Sequence, residues 1–364
     1  MSELDPKFVE RILESAAPDG EASDAMVLAD EFLERGDARN AARALDRAWG
    51  LAPRDPAVAR ARAAILDSLA VEEHGIRFRF VPAGPFLMGS TDGDPDERPV
   101  HVARTSDFWI SETPMTWAAH CRILGWVPPP AGVPKDGGNF VLHEENKIRL
   151  QYCEGHATRA VDWHAHAGMF LGGGDGARGE RASFRDDPDA APDYDVKPMV
   201  AVSWQSAEEL CARASTPAST WRLPAEAEWE KAARGGLIGC RYAWGDEPPD
   251  ASRCDFGHFG EFRIDAPRSL PPNGYGLFGM CGGVWEWTNE TYDALAYREA
   301  RAKSPPPPGG GERVLRGGSW SDTAEACTVS FRMSRASLHW RDDAPWGGHN
   351  APNIGYRVVR VESA

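Results

Sequence analysis

The feature that most constrains this 364-residue chain is the way glycine, proline and tryptophan punctuate everything beyond residue 76. Fourteen Trp, 37 Gly and 29 Pro leave few stretches long enough for extended helices or wide sheets. Such a chain builds its core from large aromatic side chains wedged between turns. Glycine pairs such as Gly317-Gly318 permit positive φ and close backbone approach. Trp204, Trp229, Trp244, Trp285 and Trp287 are expected to supply much of the buried area. The expectation is a compact domain with modest regular secondary structure.

Residues 1–72 read differently. They are rich in Ala, Leu, Glu and Arg, and Met26, Ala29, Phe32 and Leu33 follow helical spacing. Ser23 or Asp24 is a suitable N-cap and Gly36 a suitable stop. A second helix is predicted over Ala38–Trp49 and a third over Ala57–Leu69. The string from Gly36 to Pro53 resembles part of a tetratricopeptide-type hairpin. One such unit cannot bury its own apolar face, so it should dock on the main domain, or less commonly on a partner. At Ile76 the pattern switches: Ile76–Val81 alternates as a strand. Two helices follow, one near Ser206 and one over Pro224–Arg234. Residues 127–140, 171–197 and 305–311 read as long Gly/Pro/Asp-rich loops. The organisation read from the chain is thus a helical prefix, 1–72, and a main domain, 76–361.

A formal net charge of −15 argues against nucleic-acid binding, which depends on cationic side chains. No apolar run approaches a membrane span, and the acidic N-terminus lacks a basic n-region and apolar h-region. Seven scattered cysteines without a CxxC pair fit reduced, mostly buried thiols in a cytoplasmic protein.

Several strings of the main domain carry a resemblance: Phe80–Ser90, Pro198–Trp204, Trp221–Glu230, Tyr242–Glu247, Asn273–Leu277, Gly282–Trp287, Arg316–Trp320 and Ile354–Val359. In this order they resemble the formylglycine-generating-enzyme (sulfatase-modifying-factor) family. The resemblance implies an α+β fold related to C-type lectins, low in regular secondary structure, preceded here by the short all-α prefix. It does not cover residues 1–72. Arg222, Glu226, Glu228 and Arg316 are read as structural ion pairs.

Family members that make formylglycine hold Cu(I) with two cysteines just after the Arg-Gly-Gly-Ser string. Soft thiolates suit that ion. Registering on Arg316 puts Asp322 at the first cysteine position and Cys327 at the second. A carboxylate is a hard ligand, so the resemblance implies a member without the usual dithiol. Ser319, Trp320, Asp322 and Cys327 occupy the implied reaction cleft and are the candidate catalytic residues, although a buried cysteine is the commoner meaning of Cys327 alone. The resemblance also implies structural Ca²⁺ at Glu286, with backbone oxygens near Gly282 and Val284, and a second site near Asp255; Gly283 replaces the usual Asn. Asp162, His164 and His166 alternate as on a strand face and form a second candidate metal cluster, for Fe(II). Incidental histidines on a loop are the plainer account of them.

Two functions fit. One is a divergent, metal-dependent oxidase (Cu or Fe) that modifies a peptide or a small thiol or amine metabolite. The other is a non-catalytic binding or immunity module on the lectin-like fold, with the helical prefix meeting a protein partner.

Overall fold

The computed structural model describes residues 5–124, 196–200, 202–257, 264–299, 311–336 and 353–363. The long loop expected at 127–140, most of those expected at 171–197 and 305–311, and the Asp162/His164/His166 cluster lie outside the described residues.

The prefix holds four helices: α1 (Pro6–Leu13), α2 (Ala22–Glu34), α3 (Ala38–Leu51) and α4 (Pro56–Ser68). Sequence reading missed α1, whose short apolar face lies on α3. Helix α2 starts before Ser23, with Glu21 at the cap position and no side-chain cap bond. Gly36 follows its end at φ +75°, as a left-handed stop should. Asp37 caps α3 by accepting from Asn40 N at 3.1 Å. Asp55 caps α4, accepting from Ala57 N at 2.7 Å with Pro56 at the first turn. Small residues Ala41, Ala44 and Ala48 are fully buried and let α2 and α3 approach closely.

The prefix docks in cis. Arg62 on α4 is 2% exposed. It pairs with Asp46 at 2.6 Å and donates to the carbonyls of Gly235 and Gly274 in the main domain. Its guanidinium lies over the rings of Trp49 and Tyr275, and Tyr275 donates to Asp46 at 2.8 Å. Leu66 and Ala42 join the main hydrophobic core.

Strand β1 (Val71–Glu73) turns through His74-Gly75, both at positive φ, into β2 (Ile76–Val81). That is the primed turn expected of a two-residue hairpin. The largest sheet has the order β1-β2-β5-β11-β6, with β5 at Phe108–Ser111, β6 at Ser219–Arg222 and the C-terminal β11 (Val359–Glu362) between them. Strands β3 (Gly84–Met88) and β4 (His101–Thr105) form a separate hairpin. A second sheet has the order β10-β7-β8-β9, from Ile354–Gly355, Trp285–Thr291, Glu312–Arg316 and Met333–Ala336.

Four helices accompany these sheets among the described residues: α5 (Trp117–Leu124), α6 (Trp204–Ala214), α7 (Glu226–Arg234) and the one-turn α8 (Ala296–Glu299). Ser203 caps α6, accepting from Ser206 N at 3.1 Å. Gly235 ends α7 in the left-handed region.

Trp229, Trp285 and Trp287 are fully buried as expected. Trp204 and Trp244 are only partly buried: each keeps one face for a polar or aromatic partner. Arg313 lies 3.9 Å over the Trp204 ring, and Trp244 stacks on Tyr242. The expected ion pairs form. Arg222 chelates Glu228 at 2.6 and 2.7 Å, and Arg332 chelates Glu226 at 2.6 and 3.1 Å. Arg316, with no exposed surface, pairs with Glu230. It also donates to the carbonyls of Val329, Ser330 and Phe331, which pins the chain just beyond Cys327.

Candidate functional site

The second sheet positions the candidate site. Parallel pairing of Ile354 with Trp285, and antiparallel pairing of Glu286 with Arg316, bring the ends of β10, β7 and β8 together. The chain leaving β8 turns sharply through Gly317 (φ +103°) and Gly318 (φ +71°). It then runs through Ser319–Asp322 into a short 3-10 turn, Ala324–Cys327.

Ser319, Asp322 and Asn353 converge there. Ser319 Oγ donates to Asp322 Oδ2. Asn353 Nδ2 lies 3.0 Å from both Ser319 Oγ and Ser321 Oγ. Asn353 is itself held by Trp285, whose backbone N donates to its carbonyl at 2.8 Å. Burial raises the Asp322 pKa above the ordinary carboxylate value, while bonds from Ser319 and the Trp285 side chain pull the other way. Asp322 is therefore a partly buried acid whose charge is held by neutral donors. Asn353 was not singled out from the sequence; its only signal there was its place just before the Ile354-Gly355-Tyr356-Arg357 string.

The four candidate residues do not share one environment. Asp322 is partly open, whereas Ser319 and Cys327 are 0% exposed and Trp320 is 2% exposed. Trp320 is held through its backbone N to Gly283 O at 2.9 Å, so it lines the core under the turn.

Behind the turn lies a feature that residue spacing did not reveal. The Cys254 thiol hydrogen-bonds to Cys327, and this contact, followed by burial, pushes its pKa far up. Cys254 Sγ also donates to Cys281 O at 3.2 Å. The Cys281 thiol is pushed up to about 12, chiefly by burial. The five described cysteines are all free, and Cys211, Cys254, Cys281 and Cys327 are buried, in keeping with the expectation of reduced, buried thiols.

The four residues expected at calcium sites separate in the same way. Asp255 lies against the Gly282–Val284 turn: Gly283 N donates to Asp255 O at 2.8 Å, and Asp265 N donates to Asp255 Oδ2 at 3.1 Å. A cavity of about 20 Å³ is lined by Asp255, Asp265, Gly282, Gly283 and Val284. Glu286 is elsewhere in electrostatic terms. Its Oε2 accepts from Arg357 Nε at 2.6 Å and Trp229 Nε1 at 2.6 Å, and its Oε1 accepts from Arg357 Nη2 at 2.9 Å. Both oxygens serve a buried ion pair, and a cation there would have to displace a guanidinium. Among the described residues no group of three or more His, Cys, Asp or Glu side chains is placed to hold a metal ion. No helix among them is long and apolar enough to cross a membrane.

The described residues thus form an irregular α+β domain of curled sheets with a polar cluster beside the turn that leaves β8. Residues 71–361 match the sulfatase-modifying factor enzyme 1-like domain, and the chain belongs to that family. It is 33% identical over 299 residues to the formylglycine-generating enzyme of Streptomyces coelicolor, covering 77% of this chain and 87% of the relative. It is 31% identical over 302 residues to the mouse protein named inactive C-alpha-formylglycine-generating enzyme 2, covering 77% and 84%. The structure of PvdO from Pseudomonas aeruginosa shares the fold at a TM-score of 0.52 and 19% identity, over 80% of this chain and 97% of PvdO.

Proposed function

We propose that this chain is an oxidative modifying enzyme of the family, acting on a thiol- or amine-bearing side chain of a peptide or on a small metabolite, with dioxygen as oxidant. The observation that carries this reading is the Ser319–Asp322–Asn353 cluster. A domain kept only for its shape gains nothing from a partly buried acid held by a hydroxyl and an indole, because burying a carboxylate costs free energy that an apolar residue would not. In this role Asp322 accepts a proton from the substrate thiol, or holds its ammonium. Ser319 and Asn353 fix the carboxylate's orientation. The Cys pair at the family's own spacing is replaced here by Asp322 and Cys327, so chemistry by that pair is not part of the reading.

Structural Ca²⁺ fits the Asp255 side of the site better than the Glu286 side. Asp255 and Asp265 supply hard oxygens beside a void of about one water's size. Glu286 is committed to Arg357.

The second reading, a non-catalytic binding module, draws on one observation: the cluster satisfies itself, with Asp322 accepting from Ser319. The test is dioxygen uptake by the purified full chain against a panel of cysteine-, serine- and amine-bearing peptides, with metal content measured in parallel. The enzyme reading expects uptake with some of the panel, abolished in Asp322→Asn. Uniform silence across metals and substrates would leave the binding module.

A further inference from the structure

A cavity of about 400 Å³ opens between the His74-Gly75 hairpin turn, helix α5 and the 3-10 turn Pro267–Ser269. That volume is within the ~300–1,000 Å³ usual for small-molecule sites. It adjoins the small cavity at Asp255 through Pro114 and Ala266, which line both. It shares no residue with the Ser319–Asp322–Asn353 cluster.

Its charged lining is three arginines, Arg77, Arg122 and Arg268, and one acid, Glu112. The whole chain has 55 acidic and 40 basic side chains, so this cluster runs against its composition. The one acid does not absorb the three cations. Glu112 is 2% exposed, and its Oε2 already accepts from Arg79 Nε at 2.7 Å. Arg268 Nη1 lies 2.5 Å from Glu112 Oε1, but that oxygen receives no hydrogen bond. The contact is an ion pair out of hydrogen-bond alignment, and the Arg268 N–H groups are left to other uses. Arg77 is half-exposed and donates to Asp67 Oδ1 at 2.5 Å. Among the described residues Arg122 has neither a hydrogen bond nor an ion pair from its guanidinium. Glycine makes its place: a Cβ on Gly75, which is at φ +66°, would lie 3.1 Å from Arg122 Cζ and 3.2 Å from both terminal nitrogens. Like charges gathered with so little acid repel one another, and an anion among them reverses that cost. Ile76, Pro114 and Met115 give the same cavity an apolar wall.

We infer that this cavity binds a small organic dianion with an apolar body, its oxyanion held by Arg122, Arg268 and Arg77. Guanidinium forks take carboxylate or phosphate oxygens two at a time. Three arginines against one acid leave two positive charges in the lining, which a dianion neutralises. The apolar wall takes the carbon skeleton. A phosphate monoester and a dicarboxylate share this chemistry. The site stands whether or not the Asp322 cluster is catalytic.

The test is isothermal titration of the full chain, at low ionic strength, with three probes built on one ring: phenyl phosphate, isophthalate and phenol. Wild type should bind one equivalent of at least one dianion and should not bind phenol. Binding of phenyl phosphate alone or of isophthalate alone names the head group. Affinity should weaken as salt is raised. Arg122→Ala should lose ~10-fold or more, and Arg122→Glu should bind neither dianion. Arg253→Ala removes the same charge from an ion-paired site elsewhere and should bind as wild type does. Arg122 is exposed, so its variants should keep the wild-type urea midpoint. Should one fail to fold, wild type decides: bound dianion must protect Arg122 and Arg268, but not Arg253, from phenylglyoxal, mapped by mass spectrometry. Each of four results would overturn the inference: neither dianion bound, phenol bound as tightly as the dianions, equal losses in Arg122→Ala and Arg253→Ala, or equal labelling of the three arginines.

Discussion

Glu286→Gln separates the two roles that the Trp-Glu-Trp string can have. In the structure its carboxylate carries three charge-assisted or indole bonds, at 2.6, 2.6 and 2.9 Å. Arg357 has no exposed surface. It spends two further N–H groups on Ser111 O at 3.0 Å and Phe278 O at 2.9 Å. Glutamine keeps the shape. Its amide oxygen can still accept from Trp229 and Arg357 Nε, but its NH₂ then faces Arg357 Nη2, donor against donor, and the guanidinium is left as an uncompensated buried charge. Breaking a buried pair from one side costs roughly 3–5 kcal/mol. At ~2–4 °C per kcal/mol for a domain of this size, the melting temperature should fall by roughly 6–20 °C. Calcium and chelator should not alter that difference, because the lost partner is an arginine. Thermal unfolding monitored by tryptophan fluorescence, with and without added calcium, reads both quantities. A loss below ~1 kcal/mol, or a variant rescued by calcium, would refute the ion-pair argument and restore Glu286 as a metal ligand.

Gly318→Ala should destabilise by more than Gly283→Ala in urea titration. Both glycines are at positive φ and incur the ~1–2 kcal/mol backbone term, but only at 318 would the new methyl meet Cys327 Sγ and Ala326 O, at 2.7 and 2.8 Å; equal losses would mean that the 3-10 turn at Cys327 gives way freely. Arg62→Ala should cost ~3–5 kcal/mol and expose residues 5–69 to protease before the main domain is cut; simultaneous cleavage of both would show that the prefix is not a separable cap. Lys231 is almost fully buried, donating to Pro82 O, Gly84 O and Thr105, and burial lowers its pKa from 10.5 to about 8. The unfolded chain thus binds the extra proton between about pH 8 and 10.5, so Lys231 makes stability rise with pH across that window. Urea midpoints of wild type minus Lys231→Met should show that rise, and a flat difference would place the lysine's pKa near its ordinary value. In the enzyme reading, turnover should fall as pH drops through the raised Asp322 pKa, and Asp322→Asn should abolish turnover at every pH while leaving the unfolding free energy within ~1 kcal/mol of wild type.

How much of this was legible in the sequence depended on how local the determinant was. Asp37 and Asp55 fix helix ends through bonds to neighbours two or three residues away, and α3 and α4, read from local spacing as Ala38–Trp49 and Ala57–Leu69, agree with the observed helices to within a residue or two. Ile76–Val81 alternates because one face of β2 is buried, and that strand was read with its observed bounds. Helix α1 was missed because it is only eight residues long, Pro6–Leu13, and its one-sided apolar face is confined to about two turns. Glu286 shows the opposite case. Its string suggested a ligand, but its partners, Arg357 and Trp229, come from two other parts of the chain, and an ion pair closed by tertiary contacts leaves no spacing to count.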